Sequence, residues 1–331
     1  MFMKNSRKMF AIALVAMATT PAVASEDINL VLNWVPTADH SPYFYAKSQG
    51  WYDEVGISLT IEAGRGSGAA AQRVGAGASK IGVADLATTL LAKGKGADTV
   101  AVMAVYANSP QGFYWLKESG ITGPEDFAGH SIGNPPADAS RVMWPLFAQT
   151  VGIEPDSVEF INVSPQAKLT SLKSGAIDIT SDFYNEHDLK LQAFGDDLGF
   201  VAWRDIGINP YGNSVIVNGD YLRANPEIIA NFVAVTQRAF ASCVENEDPC
   251  LDALMADVSG LDKENQRNQW NRIKELMSDE TTRTVALGAF NGERMAADYE
   301  MVQTYFDLEN PFEINAAYTN DFLDTSIKMA E

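Results

Sequence analysis

Along the first third of the chain, short apolar blocks alternate with segments whose apolar residues recur at helical spacing. The block at 29–33 reads as a strand that delivers Trp34 to a loop. The loop Val35-Pro36-Thr37-Ala38-Asp39-His40 follows, then a helix that carries Tyr43 and Tyr45 and stops at Gly50. Residues 59–62 form the next strand, and 69–76 a helix behind the glycine-rich turn Gly64-Arg65-Gly66-Ser67-Gly68. A short strand at 80–83 leads to Asp85, a helix covers 86–93, and 99–106 is a continuous apolar run of the kind a strand buried on both faces requires. This βαβ alternation predicts a mostly parallel sheet covered by helices.

A second set of the same kind begins near Gly112. Strands at 113–117, 129–133, 158–163 and 176–181 are separated by a helical turn at Gly123-Pro124-Glu125-Asp126-Phe127 and by helices at about 140–151 and 166–174. The chain returns through 207–213 to a strand at 214–218. The remainder is helical: 225–244, with Pro226 in the first turn behind Asn225, then 251–258, 263–277 and 294–305. No period of about 20–50 residues repeats, which excludes a solenoid. Two α/β sets crossed twice by the chain predict two lobes joined by a two-strand hinge, residues 26–112 with 212–331 and residues 113–211. A ligand then lies between the lobes, where strand ends from both sides meet.

Ahead of the first strand, Lys4, Arg7 and Lys8 precede an apolar run over 9–17, and Ala22-Val23-Ala24 supplies small residues. This is the three-part pattern of a secretory signal over residues 1–24, cleaved after Ala24, too short and wrongly flanked for a membrane span. No cysteine follows the site to carry a lipid. A soluble, exported, periplasmic protein is expected. Loss of Lys4, Arg7 and Lys8 with the leader takes the formal charge from −19 to −22, a balance that repels nucleic acid and anionic membrane and otherwise serves solubility. Cys243 and Cys250 read as a local disulfide closing a short turn after a helix in an oxidising compartment. As metal ligands they lack a nearby cysteine or histidine. His130 and His187 show no ligand spacing with each other or with His40, so no metal site and no cofactor are expected.

The candidate chemistry clusters at strand ends. Trp34, Asp39 and His40 can meet a polar ring, and Trp34, Tyr43 and Tyr45 offer aromatic faces, which gain about 0.5–1.5 kcal/mol beyond burial against another π-system. Helical spacing turns one of the two tyrosines to the core. Asp39 and Glu186, one carboxylate per lobe, suit ring amino and NH donors, and a ligand bridging them gives a closed state a reason to form. The glycine turn frees backbone N–H groups at a helix start; Ser67 is the residue expected on ligand there, and without Gly-Lys-Ser/Thr the turn is no nucleotide loop. Asp85 either contacts ligand or caps the helix from Leu86, capping being the commoner fate. Asn134 and Tyr184 complete the set from the second lobe. An anion beside two carboxylates is repelled, with only Arg65 and the glycine turn in its favour. No nucleophile elbow, His-Glu-x-x-His or acid/base pair is visible, so an enzyme is not expected.

Asn33-Trp34, Asp39-His40, Gly50-Trp51-Tyr52, Gly56-Ile57, Asp126-Phe127-Ala128-Gly129 and Leu172-Lys173-Ser174-Gly175-Ala176-Ile177-Asp178 together carry a family likeness. Behind its leader the whole chain resembles the periplasmic substrate-binding proteins of ABC importers, in the group that binds thiamine pyrimidines, sulfonates and nitrate. The resemblance implies a type II, two-lobe periplasmic binding fold. It also implies a monomer that delivers a small-molecule ligand to an ABC permease in the inner membrane. The Asn-Trp and Asp-His pieces are most similar to the pyrimidine-binding branch, which implies a pyrimidine such as a thiamine precursor. An alkanesulfonate or other small anion is the alternative, and an exported enzyme acting on a pyrimidine the second. That branch is similar to a fungal enzyme that makes the thiamine pyrimidine by consuming one of its own histidines, and His40 falls at about that histidine's place. The enzyme's cysteine-rich iron motif has no counterpart in Cys243 and Cys250, which lie far along the chain from His40.

Overall fold

The computed structural model describes residues 1 and 25–329, so the expected export signal falls outside it apart from Met1. The chain lays down β1 (Glu26–Val31), β2 (Ile57–Glu62), β3 (Ile81–Asp85) and β4 (Thr99–Ala104). It then forms β5 (Gln111–Leu116), β6 (Ser131–Asn134), β7 (Glu159–Asn162), β8 (Ile179–Phe183) and β9 (Leu198–Ala202), and last β10 (Asn213–Asn218). These make two five-stranded sheets, in the orders β2-β1-β3-β10-β4 and β7-β6-β8-β5-β9. The α/β architecture read from the alternation is therefore present, with one refinement. Each sheet holds one reversed strand in the same place: β10 runs antiparallel to β3 and β4, and β5 antiparallel to β8 and β9. Both are the first strand laid down after the chain changes sheet.

The cores follow from strand alternation. Leu30 and Val31 are successive residues of β1, and they enter different hydrophobic clusters on opposite faces of the first sheet. Every residue of β3 and of β10 is buried, as expected of strands covered on both sides. The helix Pro226–Glu245 covers one face, where Phe232 stacks on Tyr52 at 5.3 Å and Phe240 meets Tyr43 edge-on at 5.4 Å. Each such side chain contributes about 1.5–3 kcal/mol through burial. At the end of this helix Cys243 and Cys250 are bridged, with Cα atoms 5.9 Å apart. The other cluster joins the far face of the first sheet to an aromatic group of the second, where Phe113 packs on Phe127, Trp144, Phe147 and Trp203.

Several boundaries depart from the sequence reading, each for a local reason. The helix expected at 140–151 is two helices, Ala139–Val142 and Trp144–Val151; Pro145 has no N–H to donate, and its ring opposes the carbonyl one turn back. The apolar run at 99–106 leaves the ladder at Ala104, because Val105 and Tyr106 already belong to the crossing and both donate to the Asn213 carbonyl, at 2.7 and 2.9 Å. The edge strand β9 has no counterpart in the sequence reading. The two crossings, after β4 and after β9, bond to each other: Gly212 N donates to Tyr106 O at 3.0 Å, and Ser109 N to the Asn209 side chain at 2.7 Å. Among the described residues no helix is long and apolar enough to cross a membrane.

Candidate functional site

Past β1 the backbone stays tied to the loop behind β2, with Gly64 N donating to Trp34 O and Gly66 N to Asn33 O. Trp34 is thereby fixed at the strand's C-terminal end. The next turn is locked by its own side chains. The Thr37 amide donates to His40 Nδ1 at 3.1 Å, so the ring proton sits on Nε2, which donates to Asn33 Oδ1 at 2.9 Å. Burial lowers the His40 pKa, against a raising pull from Asp39, and the ring is neutral. Asp39 lies 3.1 Å from the same Nδ1, yet no proton stands between them; its carboxylate accepts instead from Thr37 Oγ1 at 2.7 Å and from Asn213 Nδ2 at 3.3 Å.

The facing wall comes from the second sheet. Asp182 is at the end of β8, and the turn Tyr184–Glu186 follows it directly. Asp138 caps the short helix at Ala139 by accepting from Ser140 N at 3.0 Å. Lys168 Nζ donates to Asp182 at 2.9 Å and to Asp138 at 3.4 Å, while Lys190 Nζ lies 2.7 Å from Asp182 and 3.6 Å from Glu186. Both lysines thus favour Asp182. Burial alone would raise the Asp182 pKa, but the two ammonium groups outweigh it and hold the group below the usual carboxylate range. Glu186 has the opposite fate: burial, then the negative charge of Asp182, pushes its pKa up to about 7.

Between these walls is a cavity of about 440 Å³, part of it open to solvent, lined by Asn33, Trp34, Thr37, Asp39, Gly66 and Ser67 from one side and by Asp138, Ala139, Ser140, Lys168, Asp182, Phe183, Asn185 and Glu186 from the other. The Lys168 ammonium lies 4.8 Å from the Trp34 ring centroid. Asn185 donates through Nδ2 to Gln269 at 3.4 Å and leaves its buried Oδ1 without a partner.

The expected residues divide. Trp34, Asp39, Ser67 and Glu186 line this cavity together. His40 stands directly behind it with both ring nitrogens engaged. Tyr43 faces the core against Phe240. Asp85 caps the helix Leu86–Gly94 through Thr88 N at 3.1 Å and accepts from Gln111 at 3.3 Å; burial lifts its pKa to about 6. Asn134 is buried against Ser181 at 3.2 Å. Tyr184 packs on His187 and Phe200, with its hydroxyl taken by Arg272. The sequence reading misses Asn33, Thr37, Asp138, Ser140, Lys168, Asp182 and Asn185. For Asp182 a signal exists, since it ends a strand just as Asn33-Trp34 does. Lys168 has none, because a lysine opening a helix looks like a solvated charge.

The model of the family described as NMT1/THI5 like matches residues 37–249. The chain belongs to the NMT1/THI5-like family. Among relatives of this NMT1/THI5-like protein, the formylaminopyrimidine-binding protein of Halalkalibacterium halodurans is 23% identical over 71% of each chain. A protein of Legionella pneumophila named 4-amino-5-hydroxymethyl-2-methylpyrimidine phosphate synthase is 24% identical over 89% of this chain and 92% of its own. Binding proteins and named enzymes thus both occur among its relatives. The alkanesulfonate-binding protein of Xanthomonas axonopodis pv. citri, solved bound to MOPS, superposes with a TM-score of 0.64 at 12% identity over 86% of this chain and 96% of that one. The fold is the two-lobe periplasmic binding fold that the resemblance implied, with the cleft between the sheets.

Proposed function

We propose that this protein is the exported solute-binding component of an ABC importer, capturing a small nitrogen-containing ring, a pyrimidine, between its two lobes (26–112 with 212–331, and 113–211) and passing it to an inner-membrane permease. One observation carries the reading. The cavity joins an indole, Trp34, to acceptors from both sides, Asp39 on one and Glu186 with the unpartnered Asn185 Oδ1 on the other. Amino and ring NH groups would satisfy those acceptors, and an aromatic ring suits the indole. The pyrimidine named for the Halalkalibacterium relative supports the same chemistry.

Binding is favoured over synthesis by two features of this chain. Both nitrogens of His40 are committed to the protein, and Cys243 and Cys250 are bonded to each other. A sulfonate is the second reading, favoured by Lys168 in the lining. Against it, Lys168 already answers Asp182 and Asp138, and Asp39 and Glu186 add further negative charge. The test is a thermal-shift screen of pyrimidines, purines, sulfonates, nitrate and amino acids, followed by calorimetry. A pyrimidine should bind, and Trp34→Ala and Glu186→Gln should each weaken it at least about tenfold, or about 1.4 kcal/mol. Tight binding of an alkanesulfonate, indifferent to Glu186→Gln, would overturn the reading.

A further inference from the structure

We infer that Arg272, which does not line the cavity, clasps the two walls shut and so sets how tightly the cavity holds its ligand. The inference rests on the cavity being the ligand site. Arg272 is on the helix Lys263–Met277, which packs on the Ala38–His40 turn of one wall and on the Tyr184–Glu186 turn of the other. Those two turns carry Asp39 and Glu186. Its guanidinium makes a two-pronged bond to Asp188, Nε to Oδ2 at 3.0 Å and Nη2 to Oδ1 at 2.9 Å, and Nη1 donates to the Tyr184 hydroxyl. One turn earlier on the same helix, Gln269 accepts from Asn185. Asp188 is in the first turn of the helix His187–Phe194, which follows Glu186 directly, so whatever holds Asp188 holds the Glu186 turn.

Paired, parallel Arg–carboxylate bonds fix orientation as well as adding attraction, whereas both groups are about a quarter exposed, so solvent screens part of the gain. At the opposite rim the walls meet through backbone: Gly68 N donates to Ala137 O at 3.1 Å, and a Cβ on Gly66 (φ 121°) would stand 2.2 Å from that same oxygen. The cleft is therefore held at two rims, one by main chain and one by Arg272. Loss of the second lowers the closed fraction, and apparent affinity falls in proportion.

Spin labels at Arg65→Cys and Gln166→Cys, exposed residues facing each other across the outer cleft, report the separation of the walls in the full chain. Distances are measured in the parent, Arg272→Asp, Asp188→Arg and the double swap, with and without 4-amino-5-hydroxymethyl-2-methylpyrimidine. Each single reversal should enlarge the long-distance population and speed release of the pyrimidine about tenfold, since breaking a paired charge acts mainly on dissociation. The double swap should restore both to within about twofold of the parent. Arg272→Gln, which introduces no reversed charge, should fall between and serves if a reversal fails to fold. Identical distances and release rates in all variants, or a double swap as open as the single reversals, would overturn the clasp. Distances that respond to the variants but not to the pyrimidine would uphold the clasp and sink the pyrimidine reading.

Discussion

The two walls of the cavity are built in opposite ways. Most of the wall from the first sheet is one continuous stretch, residues 33–40, joined by Gly66 and Ser67, and its polar groups satisfy one another largely through Thr37, His40, Asn33 and Asp39. The wall from the second sheet gathers Asp138, Lys168, Asp182, Glu186 and Lys190 from separate elements into a buried cluster of three carboxylates and two ammonium groups. A wall closed by local hydrogen bonds needs no partner charge from a distant element and is largely made once the strand ends. A wall of interlocking charges exists only when the sheet is assembled, and each member depends on the others.

That contrast predicts where damage is greatest. Asp182→Ala leaves two buried lysines without their shared partner and should cost about 3–5 kcal/mol of unfolding free energy in urea titration; a loss under about 1 kcal/mol would mean the cluster is not the structural unit described. His40→Ala orphans the Thr37 amide and Asn33 Oδ1 but no charge, so about 1–3 kcal/mol is expected in the same titration. A loss equal to that of Asp182→Ala would erase the difference between the walls. The smallest effect is on pH dependence. Because the folded protein holds the Glu186 proton up to about pH 7, above the ordinary carboxylate value of 4.5, this group's contribution to stability is present at low pH and is lost as pH rises through that window. Asp85 and Asp298, also raised by burial, slope the same way, so the comparison is with Glu186→Gln, whose stability should fall less steeply over the same range. Parallel curves for the two proteins would place Glu186 outside the buried cluster.

The same contrast decides which residues of the candidate site are legible in the amino-acid sequence. Trp34 and Asp39 are, because a strand, its end and its loop are contiguous, so pattern and spacing carry the whole constellation. Glu186 and Ser67 are legible as polar residues at element ends. Lys168 and Asp138 are not, because each is a lone, solvated-looking charge among neutral neighbours, and nothing in the sequence says that it will meet Asp182 inside. Tyr43 shows the reverse error: two tyrosines two residues apart on a helix face different ways, and which one turns inward is decided by Phe240, about 200 residues downstream. The α/β alternation is plain in the pattern, but not the reversed strands β5 and β10, since strand direction depends on how the chain crosses between sheets.

The most direct test of the central claim, that a ring bearing donors is held by the Glu186 carboxylate, is calorimetric titration of 4-amino-5-hydroxymethyl-2-methylpyrimidine into the parent and into Glu186→Gln across pH. Titration of the free ring enters both affinities equally, so their ratio reports Glu186. The ratio should be at least about tenfold above about pH 8 and approach one as the pH falls well below 7, where Glu186 holds its proton. A ratio of one at every pH would contradict it.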